Sequence, residues 1–153
     1  VFDFAMCIDL PSTLQLYEGT GAFEGEKPYQ DVRWLFLRNV FADRLYVRED
    51  AKVTTFKDLA GKRFCPGIPG SASASYVMEY NDITGANINL MPMSYGDAVN
   101  ALKEGRIVGL QKSSGLTSMD ASLIEVNITT PLTVIGYSKD DIEKIREKIP
   151  SMS

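Results

Sequence analysis

Histidine is absent from the 153 residues. This removes the usual general base at neutral pH, every Ser-His triad and most zinc sites. Only two cysteines occur, Cys7 and Cys65. They are too few and too far apart for a disulfide framework or a metal knuckle, and each reads as a small buried apolar residue. No apolar run approaches the length of a membrane-crossing helix. No run of Lys and Arg exceeds two residues and the net charge is -4, so nucleic acid is not an expected partner. What remains is an ordinary globular composition, 44% apolar and 24% charged, in a chain long enough for one domain with a real core. Neither a metal nor a cofactor is implied. The opening Val1-Phe2-Asp3-Phe4 reads as a strand already under way, and the expectation is a piece of a longer protein.

The chain is organised around Gly61 to Ala74. Arg63, Phe64 and Cys65 read as a short strand, Pro66 to Gly70 as a turn, and the serines that follow as the start of a helix. Gly67 and Gly70 allow positive φ and a close backbone approach. Ser71 or Ser73 is an N-cap, which leaves the first amides of the helix and the positive end of its dipole facing outward. Strand, glycine turn and helix start together form an anion site in α/β proteins. The same residues also fit a plain connection between two elements. A nucleotide is disfavoured, since the stretch has neither the lysine that ends a P-loop nor dinucleotide-fingerprint spacing.

Val1 to Ile8 reads as a buried strand, and Asp9 with Pro11 starts a helix through Glu18 with a Leu10, Leu14, Tyr17 stripe. Val32 to Val47 reads as a long strand-like run broken near Asn39 or Asp43. Thr55 with Asp58 frames one helical turn. The helix after Ser71 is expected to reach Thr84, with Val77 and Met78 in the core. Ile88 to Met93 reads as a strand. Ser94 with Asp97 caps a helix whose inner face is Ala98, Ala101 and Leu102. Arg106 to Leu110 reads as a strand, Gln111 to Ser118 as a polar loop, and Leu123 to Ile128 and Leu132 to Ile135 as strands. Ser138 with Asp141 caps a last helix bearing Ile142, Ile145 and Ile149. From Arg63 the order strand, helix, strand, helix, strand predicts an open, mostly parallel sheet with helices on both faces. Ligands in such sheets bind beyond the carboxyl ends of the strands. The loops at Pro66 to Ser73, Met93 to Tyr95 and Gln111 to Ser114 would meet there.

Several phrases in order resemble one family, the TAXI-type solute receptors of TRAP transporters. They are Asp3-Phe4-Ala5-Met6, Tyr17-Glu18-Gly19-Thr20-Gly21-Ala22-Phe23-Glu24-Gly25, Asp58-Leu59-Ala60-Gly61-Lys62-Arg63 and Gly67-Ile68-Pro69-Gly70-Ser71. Ala101-Leu102-Lys103-Glu104-Gly105 and Asp140-Asp141-Ile142 continue the resemblance. It implies a type II periplasmic-binding-protein-like α/β fold, of which this chain is a central fragment. Residues 1–30 would be part of lobe one, 31–48 hinge-crossing strands, 49–136 lobe two, and 137–153 the start of the return to lobe one. It further implies a periplasmic protein that captures a small organic anion, such as a glutamate-like carboxylate or amino acid, and delivers it to a TRAP membrane permease. Ala72 stands where the family usually has glycine, Ile107-Val108-Gly109 lacks the family's Asp, and Ile8-Asp9-Leu10 replaces its Gln-Ser-Asp.

The ligand-binding candidates are Gly70, Ser71, Ala72 and Ser73, for a carboxylate. Tyr95 and Gln111 stand at neighbouring strand ends, and Lys112 is a further source of charge. A ring covering the core edge is the alternative for Tyr95, and a solvated loop for Gln111. A disulfide between Cys7 and Cys65 would lock the cleft and is not expected, because its geometry is narrow. An enzyme with Ser71 as nucleophile lacks a base at any supporting spacing, so no catalytic residue is assigned. The effector domain of a regulator reuses the same fold and is the other alternative. A truncated lobe also has an exposed sheet edge through which it can dimerise.

Overall fold

The computed structural model describes residues 10–34, 41–117 and 119–149, with the side chain of Ala22 excepted. The expected first strand, Cys7, Asp9 and the middle of the Val32 to Val47 run lie outside them. The chain divides into two compact units, residues 1–40 and 41–151.

In the first unit, α1 (Leu10–Glu18) ends where Gly19 turns to φ +70°. A 3-10 turn follows at Gly21–Phe23. The stripe is open: Leu10, Leu14 and Tyr17 are exposed and Thr13 is the buried residue of α1. With Val32, Arg33 and Trp34 they line an apolar groove.

The second unit carries a five-stranded sheet in the order β3-β2-β4-β1-β5. Its strands are β1 (Phe41–Arg48), β2 (Arg63–Cys65), β3 (Asn89–Leu90), β4 (Gly109–Gly115) and β5 (Leu132–Ile135). β2 pairs in parallel with β3 and β4, whereas β1 pairs antiparallel with both β4 and β5. Four strands therefore run one way, and β1 alone runs against them. Phe41–Arg48 lies between β4 and β5 and is unbroken at Asp43, one of the two places where the sequence suggested a break.

Alternation along the strands sends side chains to two faces. Tyr46, Cys65, Leu110 and Leu132 join Ala98, Ala101 and Leu102 of α3 (Tyr95–Lys103) and Leu123 and Val126 of α4 (Ala121–Thr129) in one buried cluster. The intervening residues Leu45, Val47, Phe64 and Ile135 are buried on the other face. There, α2 (Ala72–Thr84) packs against α5 (Lys139–Lys148). Phe56, Tyr137 and Tyr80 form an aromatic chain beside them, with centroids 4.7 and 5.7 Å apart. Gly109 sits where β4, β1 and β2 crowd together. A Cβ there would lie 2.4 Å from the Tyr46 carbonyl oxygen, so only glycine fits.

Three local readings are corrected. Leu123–Ile128 is helical, because Asp120 caps it by accepting from the Ser122 amide at 3.1 Å and its Leu123 and Val126 side packs on α3. The strand expected at Arg106 to Leu110 begins at Gly109 and continues through residues read as a loop, since β1 supplies a partner as far as Gly115. Met78 is exposed on α2, while Val77 is buried as expected.

Candidate functional site

Cys65 of β2 pairs with Leu110 of β4. Beyond that point β2 has turned away, and residues 111–115 of β4 run on past its carboxyl end. The turn from Pro66 to Gly70 passes over this overhang, with Gly67 at φ +131° and Gly70 at φ +76°, conformations that side chains other than glycine rarely adopt. Met93 donates its amide to the Gly67 carbonyl at 3.2 Å, which fixes the loop before α3 beside the turn after β2. Ser71 is the N-cap of α2, its Oγ accepting from the Ala74 amide at 3.2 Å. The Ala72 and Ser73 amides precede the first complete helical turn and face outward with the helix dipole behind them.

These elements enclose a cleft of about 160 Å³. The structure brings Ser71, Ser73, Tyr95 and Gln111 together in its lining and adds Lys112. Gly70 and Ala72 are exposed beside it and do not line it. Gln111 is no loop residue: it lies within β4 and is only 5% exposed. Its Nε2 donates to Ser113 Oγ at 3.5 Å, and its Oε1 has no hydrogen-bond partner among the described residues. Tyr95 fits both of its readings, since its ring packs against the core cluster and also lines the cleft. Its hydroxyl meets Asp120 Oδ1 and Ser122 Oγ, each at 3.3 Å. Lys112 Nζ lies 3.9 Å from the Tyr95 ring centroid and 4.0 Å from Asp120 Oδ2, a cation held between a π face and a carboxylate. The Ser122 hydroxyl, with help from the Lys112 charge, holds the Asp120 carboxyl below the usual carboxylate range.

Sequence reasoning did not single out Ser113, Ile68, Met93 or Cys65 for the lining. Ser113 had a signal, since it stands two residues from Gln111 and alternate strand residues share a face. Burial pushes the Cys65 thiol up, which keeps it protonated and a poor nucleophile. Among the described residues no group of three or more His, Cys, Asp or Glu is placed to hold a metal, and no helix is long and apolar enough to cross a membrane. The cleft therefore offers hydrogen-bond donors, acceptors and one cation for binding.

The sequence pattern of the NMT1-like family matches residues 1–153. Among solved structures, an ancestral arginine-binding protein bound to arginine superposes with a TM-score of 0.50 at 17% identity, over 73% of this chain and 54% of that one. The alkanesulfonate-binding protein SsuA from Xanthomonas axonopodis pv. citri gives 0.47 at 18% identity, over 61% of this chain and 31% of that one. The L-cystine solute receptor of Neisseria gonorrhoeae gives 0.47 at 11% identity, over 73% and 50%. The chain thus spans about half the length, or less, of these neighbours. The likeness to the arginine-binding protein shows the fold, an α/β arrangement with a mixed sheet that is part of a larger one.

Proposed function

Because the chain belongs to the NMT1-like family, we propose that it is part of an extracytoplasmic solute-binding protein, with residues 49–136 as the main body of its ligand-binding second lobe. In this reading a small organic anion, a carboxylate or amino acid, is captured between two lobes and delivered to membrane permease subunits. The protein resides in the periplasm and performs no catalysis. The ordered phrases from Asp3 to Asp141 support the finer assignment to the TAXI-type receptors of TRAP transporters. Residues 1–30 then belong to lobe one, 31–48 cross between the lobes, and residues from 137 begin the return.

The observation that carries the reading is the combination at the end of β4. Gln111 lines the cleft with a side-chain carbonyl oxygen that no described residue fills, Lys112 stands beside it, and Ser71 and Ser73 at the start of α2 line the same space.

The test is calorimetric titration and thermal unfolding of the full-length protein against small carboxylates, amino acids and phosphate. A solute that binds only the folded state raises the midpoint with concentration. The expected result is a shift with a carboxylate that disappears in the Ser73→Ala, Lys112→Met double variant. A folded protein that responds to none of the panel would sink the assignment.

A further inference from the structure

Lys112 is the one charged residue among those that line the cleft, and its ammonium is held in place without being consumed. Nζ lies 3.9 Å from the Tyr95 ring centroid and 4.0 Å from Asp120 Oδ2. Neither contact is a hydrogen bond, so among the described residues its N–H groups stay available to a solute. Asp120 stands behind it, outside the lining, and divides its two oxygens between tasks. Oδ1 accepts from the Ser122 amide at 3.1 Å and meets the Ser122 and Tyr95 hydroxyls, which caps α4 and fixes the carboxylate. Oδ2 has no hydrogen bond among the described residues and faces Lys112. The Ser122 hydroxyl, and after it the Lys112 charge, keep this carboxyl ionised at neutral pH. The neighbouring charges on β1 are turned elsewhere. Asp43 faces Ser113 in register and accepts its hydroxyl proton. Arg44 faces Lys112 in register, but its guanidinium donates to the Gly115 carbonyl at 2.8 Å and to the Ser114 hydroxyl.

We infer that Asp120 is a built-in counter-ion of the cleft, which opposes every anion that bonds to Lys112 in proportion to the charge that anion carries. The inference rests on the solute-binding reading above and narrows its ligand class. A carboxylate bonded to the Lys112 ammonium lies well within a Debye length of Asp120, so the two negative charges feel each other. Their repulsion grows linearly with the charge of the solute. A zwitterion is nearly indifferent to it, a singly charged acid is held back once, and a doubly charged acid twice. Asp120 therefore shifts selection from doubly charged solutes towards singly charged and zwitterionic ones, monocarboxylates and amino acids. A cation supplied from elsewhere in the binding site acts with and without Asp120 alike and leaves this bias in place. The Tyr95 ring holds Lys112 by its own attraction, so the Asp120 charge can be removed without releasing the ammonium.

The experiment uses two charge ladders of equal carbon number on the full-length protein: glutamine, glutamate and 2-oxoglutarate, and alanine, lactate and malonate. Each runs, at neutral pH, from a zwitterion through a singly charged to a doubly charged solute. Affinities are measured by calorimetry at low ionic strength for the parent, Asp120→Asn and Asp120→Ser, with weak members read by competition against the tightest. Unfolding midpoints verify that each protein is folded. Asparagine and serine both cap helices, so α4 keeps its start. In the ladder that binds, Asp120→Asn should leave the zwitterion nearly unchanged, tighten the singly charged member about threefold and tighten the doubly charged member about tenfold. Added salt should shrink these gains. Asp120→Ser should give the same ranking and carries the test if Asp120→Asn does not fold. A residue that only shapes the start of α4 would change all members equally. An equal change, or none, in folded variants overturns the inference while leaving solute binding intact. Binding of no member by the folded parent, with no response to the wider panel, overturns both.

Discussion

Two polar clusters in the second unit each join side chains remote in sequence, and they differ in whether a cleft reaches them. Around Asp141 the neighbouring charges and donors come from the protein itself. Its side chain is fully buried, Oδ1 lies 2.8 Å from Lys57 Nζ, and Oδ2 accepts from Ser138 Oγ at 2.7 Å. Burial pushes this carboxyl up, but the Lys57 and Ser138 contacts outweigh it and hold it below the usual carboxylate range. In the cleft, Gln111 is almost as deeply buried, yet its carbonyl oxygen is left unpaired among the described residues. The first cluster pins the Phe56–Leu59 turn to the start of α5. The second keeps bonding capacity for something from outside. Depth of residue burial does not separate the two clusters; access to the cleft does.

Lys57→Met tests the closed cluster most severely. It leaves the Asp141 carboxylate buried without its cation, and the urea midpoint at pH 7 should fall further than for any other substitution named here, with ligand affinity unchanged. Gln111→Leu should do the reverse. Stability should stay within about 1 kcal/mol of the parent, because only the long Nε2 bond to Ser113 is lost, while ligand affinity falls by at least about tenfold. If Gln111→Leu destabilised the fold as much as Lys57→Met, the contrast between the clusters would collapse.

The smallest effect lies in acid. Asp58 accepts from the Thr54 hydroxyl at 2.7 Å and from the Thr55 and Thr54 amides at 2.8 and 3.0 Å, and these bonds hold its carboxyl at about 2. Asp141 and Asp120 are also lowered. Groups depressed in the folded state take up protons more readily when unfolded. The stability they contribute is full above the unfolded value of about 3.9 and is lost as pH falls through the folded values. With no histidine in the chain, urea midpoints should be level from about pH 8 to 5 and fall below about pH 4. Lys57→Met should move the Asp141 part of that fall to higher pH. A fall that begins near pH 6 would contradict this account.

The sequence was most legible where structure is set within a few residues. Ser71, Ser94 and Ser138 cap α2, α3 and α5 as their spacing predicts, and the Thr55 and Asp58 capping box closes. β2 and β5 occupy the expected residues. Leu123 to Ile128 was misread because its Ile and Val residues favour strands, and packing against α3 overrides that preference. Gln111 to Ser113 looked like a loop because polar residues are rare inside a central strand. Their polarity belongs to the cleft, and their strand conformation comes from β1, whose register no local pattern reveals. For the same reason Asp43 could not be connected to Ser113 from the sequence, although Ser71 and Ser73 could be placed at one helix start.

The reversed strand has a consequence during synthesis. β1 leaves the ribosome before either partner: Phe41 waits for Gly115, and Arg48 for Leu132. Until then Leu45, Tyr46 and Val47, almost wholly buried once folded, belong to a nascent segment with two unpaired edges, the kind of surface through which incomplete chains associate. Nascent chains that stall before Gly115 should therefore be the aggregation-prone ones, and a chaperone that shields residues 41–48 would spare the protein its most exposed interval.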